Sequence, residues 1–126
     1  MKRSLALQPL SREHHQALKL AKQCERAANS GDTVQIEQAC KQVLHDFANQ
    51  LEPHFREEEA HLLPQLTFTQ QNLVQRTLQE HAQLRSLCAR LQQQDKTTLA
   101  AFAHCLVAHV RFEETELFPA VEASSP

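Results

Sequence analysis

A single glycine, Gly31, serves the whole 126-residue chain. Hairpins and sheet turns need glycine for their positive φ angles, whereas helices avoid it. The chain is also rich in Gln, Leu, Ala, Glu and Arg, all good helix formers. An all-α fold follows. The length fits one domain, spanning residues 1–126, large enough to bury a core without disulfides.

Breakers divide the chain into four helical segments, at about 11–29, 33–63, 70–94 and 96–118. Ser11 reads as the N-cap of the first segment. Asn29-Ser30-Gly31-Asp32 ends it. Pro53 lies inside the second segment and predicts a kink, because proline removes a backbone donor. Pro64 and Pro119 read as helix stops. Short links between long helices predict an up-down-up-down antiparallel four-helix bundle. Residues 1–9 and the Ser124-Ser125-Pro126 tail are expected to be loose.

Other classes are disfavoured. The net charge is −2 and no run of one sign stands out, which speaks against nucleic acid and acidic membrane surfaces. No apolar stretch approaches the roughly 20 residues of a membrane span. The segment after Met1-Lys2-Arg3 does not resemble a signal-peptide core, so a cytoplasmic location is expected. Trp and Tyr are absent, which disfavours stacking sites for sugars or bases. Cys24, Cys40, Cys88 and Cys105 contain no C-x-x-C pair. They fall at different heights along their helices, so they are read as reduced core residues rather than a thiolate cluster.

The chemistry lies in a repeat. His54-Phe-Arg-Glu-Glu-Glu-Ala-His-Leu-Leu-Pro64 aligns with His109-Val-Arg-Phe-Glu-Glu-Thr-Glu-Leu-Phe-Pro119. His54 falls on His109, Glu58 on Glu113 and Pro64 on Pro119. Residues i and i+4 share a helix face, so each His-x-x-x-Glu element can bring an imidazole and a carboxylate to one metal. Apolar stripes fix the direction. Leu51, Phe47, Val43 and Ile36 precede His54 at helical spacing, and Leu106, Cys105 and Phe102 precede His109. His81 lies on a stripe with Val74, Leu78, Leu84, Cys88 and Leu91. In the first segment Ala17, Leu18 and Ala21 favour His14 over His15. Each segment thus offers one inward histidine, and the four fall at one level. Burying two glutamates among them costs several kcal/mol each unless cations compensate. Glu57, Glu59, Glu114 and Glu116 read as solvated surface, with Glu114 the rival to Glu113. His61 reads as a bundle-end residue near solvent, and His45 and His104 as exposed. Such carboxylates and imidazoles suit iron or manganese, with zinc as a further option.

With these motifs in place, the sequence resembles the hemerythrin-like, or HHE cation-binding, family. The resemblance rests on Glu13-His14, His54-Phe-x-x-Glu58-Glu-x-x-Leu-Leu-Pro, Glu80-His81 and His109-x-x-x-Glu113-Glu-x-x-Leu-Phe-Pro, across nearly the whole chain. It implies a bundle holding a non-haem diiron centre with an oxo or hydroxo bridge. The implied ligands are His14, His54, Glu58, His81, His109 and Glu113, with both glutamates able to bridge. The oxygen-carrying hemerythrins place two histidines at i and i+4 on the third helix. Here the residues four before and four after His81 are Thr77 and Arg85. Those carriers also use His-x-x-x-x-Asp on the last helix. The missing histidine leaves a position for water or for a small diatomic ligand or peroxide. The resemblance therefore points away from reversible O2 carriage, toward sensing O2 or NO, iron handling or iron-centre repair. A peroxidase, oxidase or NO-reducing enzyme is the alternative, and a non-catalytic interaction bundle the third reading.

Overall fold

A computed structural model describes residues 3–124, and no strand occurs among them. Helix α1 spans Gln8–Ser30. A second stretch comprises α2 (Thr33–Asp46), a π turn at Phe47–Leu51, α3 (Glu52–Glu57) and a π turn at Glu58–Leu62. The third is α4 (Gln71–Arg90), with 3-10 turns at both ends. The fourth comprises α5 (Lys96–Phe112), a π turn at Glu113–Leu117 and α6 (Phe118–Ser124). The four expected helical stretches are present.

Their ends follow local chemistry. Gly31 takes φ 66°, the left-handed conformation that closes α1. Asp32 and Asp95 cap α2 and α5 by accepting backbone N–H groups of the first turn. The expected cap at Ser11 is incorrect. Helix α1 starts three residues earlier, because Pro9 suits a first turn that needs no donor. Ser11 instead donates its hydroxyl to Glu114.

The prolines also behave differently from expectation. Pro53, Pro64 and Pro119 each lie two residues beyond a π turn. In each turn the closing N–H reaches back five residues, as from Glu52 to the Phe47 carbonyl. The wider turn resets the register, so each proline enters the first turn of the next helical piece. Pro119 therefore does not end the fourth stretch, which continues to Ser124.

Nor is the described N-terminal arm loose. Leu7 is 1% exposed. Arg3 pairs with Glu114 and Glu122 at 3.3 and 2.6 Å. Ser124 donates to Gln70 and to the Ala120 carbonyl. Residues 1–2 and 125–126 lie outside the described residues.

The apolar core is divided in two. One cluster contains Ala17, Leu51, Phe55, Leu84, Leu106 and Val110, and extends to the Gly31 end. The other contains Leu7, Leu10, Leu62, Phe112, Leu117 and Phe118. Along α1, His14 lies between Leu10 and Ala17. Along the second stretch, His54 and Glu58 lie between Leu51 and Leu62. A buried polar layer thus interrupts the hydrophobic interior. Two residues assigned to inward stripes turn outward instead: Leu18 and Leu78 are each 39% exposed. On α4 the inward position is taken by Thr77, fully buried one residue earlier.

Candidate metal centre

The polar layer consists of His14, His54, Glu58, His81, His109 and Glu113, all buried. Helical spacing sets two of its contacts. His54 Nε2 lies 3.0 Å from Glu58 Oε2, and His109 Nε2 lies 3.0 Å from Glu113 Oε2, each pair at i and i+4. Helices α1 and α4 supply the other two imidazoles. His14 Nε2 stands 2.8 Å from Glu113 Oε1, and His81 Nε2 stands 3.0 Å from Glu58 Oε1.

The atoms sort into two groups. His14 and His54 face Glu113 Oε1, at 2.8 and 3.7 Å. His81 and His109 face Glu113 Oε2, at 3.7 and 3.0 Å. Glu58 likewise gives Oε2 to His54 and Oε1 to His81. Each glutamate therefore offers one oxygen to each side. Within each group of two histidines and two glutamates, ligand atoms lie within 4.8 Å of one another.

Four buried atoms in this layer have no hydrogen-bond partner: His54 Nε2, Glu58 Oε2, His109 Nε2 and Glu113 Oε2. They are close in pairs but not aligned for hydrogen bonding. An orphaned buried polar atom costs about 1–3 kcal/mol. A cation at the centre of each group would satisfy all four atoms, so the donor set fits a pair of metal ions.

An outer ring of carboxylates orients the imidazoles, and sequence reasoning missed it. Glu13 accepts from His54 Nδ1 at 2.7 Å, and Glu59 from His81 Nδ1 at 2.7 Å. Glu80 accepts from His109 Nδ1 at 2.6 Å, and Glu114 from His14 Nδ1 at 2.6 Å. Each glutamate reaches the histidine of the next helical stretch, so the ring closes around the bundle. With Nδ1 protonated, the lone pair of a neutral imidazole lies on Nε2, facing the centre. The available signal was adjacency: Glu13-His14, Glu58-Glu59, Glu80-His81 and Glu113-Glu114 each place an outer carboxylate beside an inner residue. Glu59 and Glu114, expected at the solvated surface, are partly buried members of this ring. Phe55 stacks on His81 at 4.1 Å between centroids, and Phe118 on His14 at 5.2 Å.

In the metal-free layer the groups titrate together. Burial opposes protonation of His54, but Glu113 and Glu58 outweigh it and push its pKa up to about 11. His109 is likewise desolvated, yet Glu113 and Glu80 push it up to about 10. Burial and the charge of Glu113 raise Glu58. Burial would raise Glu113 too, but His109, His14 and His54 hold it well below the usual carboxylate range.

Other residues stand apart. Thr77 bonds the Leu73 carbonyl, and Arg85 reaches Glu52 and Glu59, so neither adds a donor. His15, His45 and His104 are exposed. His61 pairs with exposed Glu57 at 3.1 Å. The four cysteines are free, and none joins a ligand group among the described residues. Burial pushes the Cys24 thiol up to about 12 and the Cys88 thiol up to about 11, leaving both protonated and unreactive.

Arg85 anchors Glu59 at 3.0 Å, which gives a test of the ring. Glu59→Ala is expected to weaken metal binding on the His81–His109 side by about 10–100-fold, the usual effect of losing a ligand's outer partner, and Arg85→Ala to weaken it by less. Competition with a chelator would read this change, with the His14–His54 side unaffected.

No curated protein and no solved structure matches the chain. No helix among the described residues is long and apolar enough to cross a membrane. The profile of the hemerythrin HHE cation binding domain matches residues 5–121, nearly the whole chain, which therefore belongs to that family.

Proposed function

We propose that this is a cytoplasmic diiron protein that binds, senses or reacts with O2, NO or peroxide, or serves iron handling and iron-centre repair. One observation carries the reading. Two groups of two histidines and two glutamates share both carboxylates, each of which turns one oxygen to either side. His14, His54, Glu58, His81, His109 and Glu113 would be the ligands. Histidine and carboxylate together suit iron or manganese better than softer metals.

An up-down-up-down course of the four stretches would account for the assembly. His14 is early in α1, His54 late in its stretch, His81 midway along α4 and His109 late in α5, yet all four meet in one layer. Alternating directions bring such positions together.

The bound pair would supply Lewis acidity and electrons to a small ligand. The chain's own residues do the rest. The outer glutamates keep Nδ1 protonated and each ring fixed, and Phe55 and Phe118 pack against the His81 and His14 rings. Each group holds only two imidazoles, which leaves room for an exogenous ligand.

Anaerobic Fe(II) loading followed by separate exposure to O2, NO and hydrogen peroxide tests this reading by optical spectra. A new absorption with at least one reagent is expected. Unchanged spectra of the loaded protein with all three would overturn it.

A further inference from the structure

A cavity of about 340 Å³ opens beside the polar layer. It lies between α1, the π turn at Phe47–Leu51 and α3, with α5 behind it. Its deep end reaches His14, His54 and His109, and its lining includes Ala17, Leu20, Leu106 and Val110. A single water needs only roughly 10–15 Å³, so the space far exceeds a diatomic molecule. It falls within the roughly 300–1,000 Å³ of small-molecule sites.

The chemistry of the rim narrows the occupant. Glu13, Gln16, Asp46, Asn49 and Gln50 line the cavity, and no lysine or arginine does. At that rim an anion would meet the carboxylates of Glu13 and Asp46, with no lysine or arginine to offset them.

Glu13 differs from the other three outer carboxylates: its side chain is 56% exposed, against 25%, 21% and 28% for Glu59, Glu80 and Glu114. The other three outer carboxylates each have an arginine: Arg85 for Glu59, Arg76 for Glu80 and Arg3 for Glu114, at 3.0, 2.9 and 3.3 Å. Glu13 holds His54 in the same way, but no arginine or lysine lies within ion-pair distance of it among the described residues. It is also the outer carboxylate that lines the cavity.

The π turn at Phe47–Leu51 points to the same place. The π turns at Glu58 and Glu113 begin on inner carboxylates, whereas this one contains no metal-ligating side chain. Its residues Asn49, Gln50 and Leu51 instead form part of the cavity wall. π turns frequently mark functional positions.

We propose that this cavity binds a small organic ammonium ion, its cationic head at Glu13 and Asp46 and a short apolar tail along Ala17, Leu20 and Leu106 toward His54. This deepens the dimetal reading by naming an organic substrate class for the same centre. The binding step does not itself need the metal.

The test is a titration of metal-free and Zn(II)-loaded protein with n-butylammonium chloride, sodium butyrate and 1-butanol, followed by amide NMR shifts. Saturable shifts at Ala17, Asn49, Gln50 and Leu51 are expected with butylammonium, and binding of butyrate at least about tenfold weaker. Asp46→Asn should weaken butylammonium by about tenfold and leave butanol unaffected. Ala17→Phe should exclude all three, and Asp46→Asn remains decisive if that larger residue prevents folding. Butyrate binding as tightly as butylammonium, shifts confined to other residues, or no saturable shift at all would overturn the proposal. Zinc content is measured on the same samples. Full loading without ammonium binding defeats the pocket alone, and ammonium binding without loading defeats the dimetal reading alone.

Discussion

Glu113→Ala is expected to empty both metal positions at once, whereas His14→Ala should empty only one. The difference follows from geometry. Glu113 is fully buried and faces His14 and His54 with one oxygen and His81 and His109 with the other. Removing it strips a donor from both groups and leaves Glu58 as the only inner carboxylate. His14 faces only its own side. Iron retained after anaerobic loading and dialysis should therefore fall from about two per chain to near zero in Glu113→Ala, and to about one in His14→Ala. The metal-free Glu113→Ala protein should also lose about 3–5 kcal/mol of stability, because buried imidazolium groups lose their counter-charge. Glu113→Gln keeps the volume and isolates the charge. Two irons retained by Glu113→Ala would show that the two sides do not share this carboxylate.

Diverging pH dependences of stability for the metal-free and metal-loaded forms are the second large effect. In the metal-free protein, His54 rises from 6.5 to about 11 and His109 from 6.5 to about 10. A raised folded-state pKa stabilises fully below 6.5, and the stability is lost as pH climbs toward 10–11. Each such proton changes stability by about 1.4 kcal/mol per pH unit. The melting temperature of the metal-free protein should therefore fall between pH 7 and 9. Metal binding needs Nε2 free of its proton, so apparent affinity should rise over the same interval. The metal-induced increase in melting temperature should widen accordingly. Calorimetry at several pH values with and without Fe(II) reads both slopes, and parallel slopes would contradict the assignment. On the acid side, burial opposes ionisation of Glu59, Glu80 and Glu114, but His81, His109 and Ser11 with His14, respectively, hold these carboxyls below their ordinary values. Their depressed folded pKa values stabilise above the usual carboxylate range, and that contribution is lost as pH falls.

The inner layer was legible because it obeys helical periodicity. Apolar stripes beside His54 and His109 determine which face turns inward, and the repeat pairs Glu58 with Glu113. His14 was separable from His15 by the same rule. The outer ring was not legible in this way. Glu13 and Glu80 lie on the flanks of their helices, and only packing shows that they reach histidines of neighbouring stretches. The π turns escaped for a related reason. An added residue per turn shifts the stripe locally, and the nearby prolines imitate kinks and stops. On α4, which has no π turn, the stripe itself was misplaced: a one-residue difference between Leu78 and Thr77 exchanged an expected core residue for an exposed one. The N-terminal arm was missed because its order depends on Arg3 reaching Glu114 and Glu122, more than a hundred residues away.

The shared-carboxylate centre is tested most directly by counting metal in the wild-type chain. Protein loaded anaerobically with Fe(II), freed of excess ion and analysed for iron and protein should hold two irons per chain. A value near zero, or a plateau at one, would contradict it.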